Sequence, residues 1–242
     1  MTQKSKFDPR KMMELYYDAH LYFASWGTHQ LMIRLPQALL SLETAEQYSI
    51  DPDVTAWASG EHLILAVTSE EDEAEWDENS EESLSAIIGI RAELAAGDLR
   101  PLYLAWLAAY GTWERDEDAF DYDEESELEP PVPAGLGTLT APQRALADFL
   151  RLDGDLLAIA AKASPPLAEI SEDPGKLASW ITNLPADDKD AFLIRVAQGQ
   201  GAQVHLELRR RFHGDPDLAA DSRPRRTVAE LLDAAAEARL AR

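Results

Sequence analysis

The sequence predicts an α+β protein that is mainly α-helical, with a small N-terminal antiparallel sheet covered by helices and an all-helical C-terminal half. Three observations lead to that expectation. Strand-like runs of β-branched and aromatic residues occur at 21–23, 31–33 and 62–67, all in the first third of the chain. From residue 84 onward the apolar segments are bounded by helix-start and helix-stop residues. An acidic, proline-rich stretch lies between these two regimes. The organisation expected is therefore an α+β region at 1–113, an acidic, Pro-rich linker at 114–139 and a helical region at 140–242.

Asp8-Pro9 has the form of an N-cap followed by proline at the first helical position, so a helix is expected over 11–17. Leu21-Tyr22-Phe23 and Leu31-Met32-Ile33 flank Trp26-Gly27-Thr28, a pattern that suits a hairpin. Pro36 is expected to open a helix through Leu42, and the turn-rich 49–59 to lead into a third strand at 62–67. Three strands need helices on one face to be stable.

A helix is expected over 84–96 and stops at Gly97, after which Asp98 caps a second over 99–113. On that second helix Tyr103, Trp106, Tyr110 and Trp113 recur at spacings of three, four and three, which lines four rings along one stripe. Such a stripe is usually core, with an exposed groove or a homodimer seam as the other uses. Beyond Glu129-Pro130-Pro131-Val132-Pro133, which cannot build helix, Thr140 and Gln143 form a capping box. Helices are expected from there to about 152, then over 154–163, 174–183, 187–198 and 202–212. The last starts from a second capping box at Thr227 and Glu230.

Composition restricts function more than it assigns it. The chain has 242 residues, no cysteine and a formal charge of −23. The missing thiols exclude disulfides, cysteine nucleophiles and cysteine-ligated zinc. The negative charge disfavours direct nucleic-acid contact and anionic membranes, and it favours a basic protein partner. No signal-peptide pattern follows Met1 and no window approaches a membrane span, so a cytoplasmic protein is expected.

Nineteen of the 45 acidic residues lie in two runs, 70–82 and 114–129. Together with Arg115 these carry −18, and removing that from −23 leaves an ordinary −5 for everything else. Trp76 sits in the first run, and Phe120 and Tyr122 sit among Asp118, Asp121 and Asp123 in the second. Rings spaced among carboxylates suit docking on a basic, partly apolar surface, because the acids steer and the rings supply buried area. The bland alternative is a pair of solvated loops, the commonest role of charge blocks. Asp116, Asp118 and Glu127 match positions of a calcium-binding loop, but Phe120 takes a ligand position and Asp121 replaces the required glycine, so no metal is expected there.

No nucleotide-binding, nucleophile-elbow or metal-helix pattern is present, no two of the five histidines are four apart, and no cofactor is expected. The only constellation with acid-base potential is Asp18, His20, Glu61 and His62, which would meet if the hairpin and third strand brought them to one sheet edge. Arg209-Arg210-Arg211 and Arg223-Pro-Arg225-Arg226 are the basic clusters. The first suits the last turn of a helix, and either suits a clamp on acids of the N-terminal half.

The stretches Tyr17-Asp-Ala-His-Leu-Tyr-Phe-Ala-Ser-Trp-Gly-Thr to Leu35-Pro36, Asp98-Leu-Arg-Pro-Leu-Tyr-Leu-Ala-Trp and Glu129-Pro-Pro-Val-Pro-Ala-Gly-Leu-Gly resemble a bacterial family of uncharacterised proteins. The resemblance implies one recurring architecture over about two thirds of the chain and carries no activity, cofactor or site. The function expected from the residues is a non-catalytic adaptor or regulator with an acidic N-terminal surface. An enzyme or metal-binding protein built on the Asp18/His20/His62 cluster and a homodimeric structural protein are the alternatives.

Overall fold

A computed structural model describes residues 8–23, 27–71, 85–113, 127–166, 174–197 and 225–240, together with Gly201, Val204, Glu207, Leu208, Arg211 and Phe212. Its architecture is α+β, a four-stranded antiparallel sheet in the N-terminal half and helices in the C-terminal half. The elements are α1 (Pro9–Leu15), β1 (Ala19–Phe23), β2 (Gly27–Pro36), α2 (Leu42–Glu46), β3 (Val54–Ser59) and β4 (His62–Glu71). They continue with α3 (Gly89–Ala95), α4 (Arg100–Trp113), α5 (Ala141–Phe149), α6 (Gly154–Ala163), α7 (Pro174–Asn183), α8 (Ala186–Ala197) and α9 (Val228–Leu240).

The strand order is β1-β2-β4-β3. The hairpin of β1 and β2 forms as expected, with Leu21 opposite Leu31, and β4 then pairs along the whole of β2. Two expectations fail locally. Pro36 ends β2 instead of opening a helix: its missing N–H would face the β1 side, where the ladder has already stopped, so a proline is tolerated there. The helix starts later, at Leu42, where the Ser41 hydroxyl accepts from the Thr44 N–H at 3.2 Å. The stretch expected to be turns contains a fourth strand, β3, whose Val54, Thr55 and Trp57 have strand preference and pair with β4.

Alternation divides the sheet into two faces. Leu31, Ile33, Leu35, Leu63, Leu65, Val67 and Val54 face the main core. Met32, Ile64 and Ala66 face the other way and are covered by Met13 of α1, with Trp57 beside them and the Arg10 guanidinium 4.7 Å from its ring centre.

The centre of the main core is α4. Every described side chain from Leu102 to Tyr110 is buried, and Tyr103 and Tyr110 are wholly inaccessible. The aromatic stripe is therefore core rather than a homodimer seam at Tyr103, Trp106 and Tyr110; the Trp113 side chain lies outside the described set. Trp106 stands between the two tyrosines, with ring centres 5.6 and 4.9 Å away. The same core takes in Leu136 from the segment before α5, then Leu146, Leu156 and Ile159, and finally Val228, Leu231 and Ala235 of α9.

Caps account for the element ends. Helix α3 finishes in a Schellman turn, with Gly97 at φ +87° and N–H groups of Gly97 and Asp98 bonded to the carbonyls of Leu94 and Glu93. At its start, Gly89 lets α3 approach α5, since a Cβ there would lie 2.7 Å from Cγ of Pro142. Both expected capping boxes form, at Thr140/Gln143 and at Thr227/Glu230. Buried Gln143 also donates to Glu93 at 2.9 Å and to Asp98 at 2.8 Å, and Asp98 in turn holds Arg100. Arg100 donates onward to the carbonyls of Gly135 and Thr138, which closes the turn before α5 with each buried charge paired.

Asp153 caps α6 by accepting from the N–H groups of Asp155 and Leu156 at 2.8 and 3.0 Å. Burial disfavours its charge, but those two N–H groups and Arg239 outweigh that and hold the carboxyl below its ordinary 3.8. A depressed folded-state pKa gives stability that is present above 3.8 and lost as pH falls through the lower folded value. Asp153→Asn is expected to flatten the acid limb of a stability–pH curve, and Asp153→Ala to cost about 1 kcal/mol at neutral pH by urea titration. Trp106→Ala is expected to cost about 3–5 kcal/mol in the same assay, because the cavity opens at the middle of the core.

Candidate functional site

The sheet does not gather the acid-base constellation. His20 stands opposite Met32 and His62 opposite Pro36, on the two strands that flank β2. Their partners are four residues apart, roughly 13 Å at the usual rise, and two strand spacings separate the histidines across the sheet. Asp18 is engaged elsewhere. Its carboxylate accepts from Arg34 at 3.1 Å and lies 3.4 Å from Arg91, whose Nε donates to the Arg34 carbonyl at 2.9 Å. That surface cluster ties β1, β2 and α3 together. Glu61 contributes its carbonyl to the Gln37 N–H at 2.9 Å. Among the described residues no group of three or more His, Asp or Glu is placed to share a metal ion, and no helix is long and apolar enough to cross a membrane.

The partner-binding candidates Trp76, Asp118, Phe120, Asp121, Tyr122 and Asp123 lie outside the described residues. What the structure does define is the base of the second acidic run. There, Glu127, Leu128 and Glu129 form a short antiparallel clip with Arg226, Thr227 and Val228. The Glu129 N–H donates to the Arg226 carbonyl and the Val228 N–H to the Glu127 carbonyl, each at 2.9 Å.

Side chains lock the clip onto α4. The Arg226 guanidinium grips the Glu129 carboxylate through both oxygens, at 2.9 Å from Nε and 2.8 Å from Nη2. The Tyr103 hydroxyl donates to the same carboxylate, and the Tyr110 hydroxyl donates to Glu127. Arg225 donates to the Glu129 carbonyl at 2.7 Å, and Tyr48 to the Pro131 carbonyl at 2.9 Å. The Glu129 side chain is 3% exposed, so its charge is held almost dry.

Electrostatics fix the proton positions in this cluster. Burial, then the adjacent Glu129 carboxylate, raises the Tyr103 hydroxyl far above its ordinary value, so it stays a neutral donor. Burial likewise raises Tyr48, against the opposing charge of Arg225. The donors and acceptors satisfy one another, which suits a fastening role: the group holds chain segments and one paired charge in place.

The second basic cluster thus does clamp an acid of the N-terminal half, through Arg225 and Arg226. In the first, Arg211 pairs with Glu207 at 2.8 Å and lies over the Phe192 ring, within the C-terminal half. Glu127, Glu129, Tyr103 and Tyr110 were not singled out by sequence as a polar group. The available signal was a pair of tyrosines in an otherwise apolar stripe, since a buried hydroxyl requires an acceptor. Comparison of the chain with protein-family models, with curated proteins and with solved structures finds no match.

Arg226→Met leaves Glu129 charged and buried, and is expected to destabilise by about 3 kcal/mol, the lower end for a broken buried pair because Arg226 is partly exposed. Combining it with Glu129→Leu is expected to recover part of that loss in chemical denaturation. An additive double variant would show that the two residues act separately.

Proposed function

We propose that the protein is a non-catalytic cytoplasmic adaptor or regulator whose acidic N-terminal surface docks a basic protein partner. The observation that supports this reading is the attachment of the second acidic run. Eight carboxylates and one arginine lie between Trp113, the last residue of α4, and Glu127, the first of the clip. Both ends belong to framework, one to the most deeply buried helix and the other to a hydrogen-bonded clip closed by Arg226. A charged segment fixed at both ends loses less conformational freedom on docking than a free tail of equal charge.

Within that segment Phe120 and Tyr122 supply apolar area and the acids supply long-range steering, the division of labour expected of an electrostatically guided interface. Trp76 extends the same composition to the first run, which leaves the framework at the end of β4. The two runs, 70–82 and 114–129, carry −18 of the net −23, so most of the molecule's field originates in them.

The test is affinity capture from native cytoplasm followed by titration of the captured protein, with intact chain beside a variant carrying amides in place of the eight carboxylates of 114–126. The intact chain is expected to retain a basic protein that the variant loses. Its affinity is expected to fall by about tenfold or more between roughly 50 and 300 mM salt. Equal capture by both forms, or an affinity independent of salt, overturns the reading.

A further inference from the structure

The sheet has two edges, β3 and β1. At the β3 edge the outward groups of Val54 are used, since Ile50 and Val54 exchange backbone hydrogen bonds at 2.8 and 2.6 Å. At the β1 edge the ladder register leaves an open row. The Arg34 N–H donates to the Asp18 carbonyl, so even-numbered residues of β1 bond to β2 and the N–H and C=O groups of Ala19, Leu21 and Phe23 point away from it. No hydrogen bond beyond that ladder is made by these three residues among the described residues. Natural sheets commonly guard such an edge with lysine, proline or a bulge. The strand Ala19-His-Leu-Tyr-Phe23 has none of these and no carboxylate, although the molecule carries −23.

We infer that β1 is a self-association edge, which pairs with β1 of a second copy about a two-fold axis at Leu21. The argument is complementarity. In an antiparallel pairing with Leu21 opposite Leu21 of the second copy, Ala19 faces Phe23 and each outward N–H meets an outward C=O, so the row is its own partner. The same register keeps like charges apart, because the paired residues are all uncharged or histidine and the nearest carboxylate, Asp18, is already held by Arg34 and Arg91. On the α1 face His20 comes beside Tyr22 of the other copy, which covers a ring that is 52% exposed in the single chain. Leu21, partly buried against the main core, meets its own counterpart on the opposite face. The dimer becomes an eight-stranded sheet with the β3 edges at its ends.

The occupant is a second copy of this chain, and the test is its mass in solution with amide exchange on the same samples. Sedimentation equilibrium is expected to give two chains at high micromolar concentration, dissociating on dilution, with the Leu21 and Phe23 amides protected only in the dimer. Ala19→Pro removes one outward donor at a position where a strand tolerates proline, and Tyr22→Lys places a guarding charge on the edge; each is expected to give a monomer. Added salt is expected to strengthen this dimer by screening two copies of a −23 molecule. Salt weakens docking of a basic partner, so the two readings stand or fall separately. A monomer at every concentration overturns the inference, as does a dimer that survives both substitutions with freely exchanging Leu21 and Phe23 amides. Protection of those amides only on addition of a different protein assigns the edge to that protein and also overturns it.

Discussion

The structure depends on covering a helix that is apolar on all sides. Helix α4 reads Arg-Pro-Leu-Tyr-Leu-Ala-Trp-Leu-Ala-Ala-Tyr, and no face of this stretch is left to water. A helix of this kind is stable only when other elements enclose it completely. The sheet through β3, helices α5 and α6, and the clip at 127–129 each supply part of the enclosure. The apolar area removed from water drives the arrangement, at about 25 cal/mol per Å². The two tyrosine hydroxyls add a condition that area alone does not meet. Each needs an acceptor at the helix surface, and Glu129 and Glu127 provide them.

That condition links the core to the chain's charge. Glu127 and Glu129 are the last acids of the run: Glu129 is buried, accepts from the Tyr103 hydroxyl and is neutralised by Arg226, while Glu127 stays exposed and accepts from the Tyr110 hydroxyl. A carboxylate with 3% exposure is tolerable only with this number of donors. The run ends where the Glu129 charge is paired with Arg226, next to the start of α9. Architecture and electrostatics meet in one place, which is why the acidic segment and the last helix have to be considered together.

Legibility in the sequence followed the range of the interaction. Helix ends were readable because caps act over two to four residues: Asp8-Pro9, Gly97, Thr140 with Gln143 and Thr227 with Glu230 all act as their local chemistry requires. The β1–β2 hairpin was readable for the same reason. Strand β3 was obscured by neighbouring turn residues, and Pro36 read as a helix start because its tolerance depends on which edge its missing N–H faces. The distance between His20 and His62 is a matter of register, which no local pattern specifies.

By itself the sequence determined the fold class, most element boundaries, the burial of the aromatic stripe at Tyr103, Trp106 and Tyr110, and the concentration of charge in two short runs. Composition, period and capping are properties of neighbouring residues, and they survive without knowledge of distant contacts. Only the tertiary structure decided that Glu129 turns inward and that Arg226 meets it. Glu129 meets Tyr103 across 26 residues and Arg226 across 97, and β2 finds β4 past two intervening elements. Those pairings are selected by enclosure of α4 and by the need of the Tyr103 hydroxyl and the Glu129 carboxylate for partners, constraints that exist only once the chain has closed on itself.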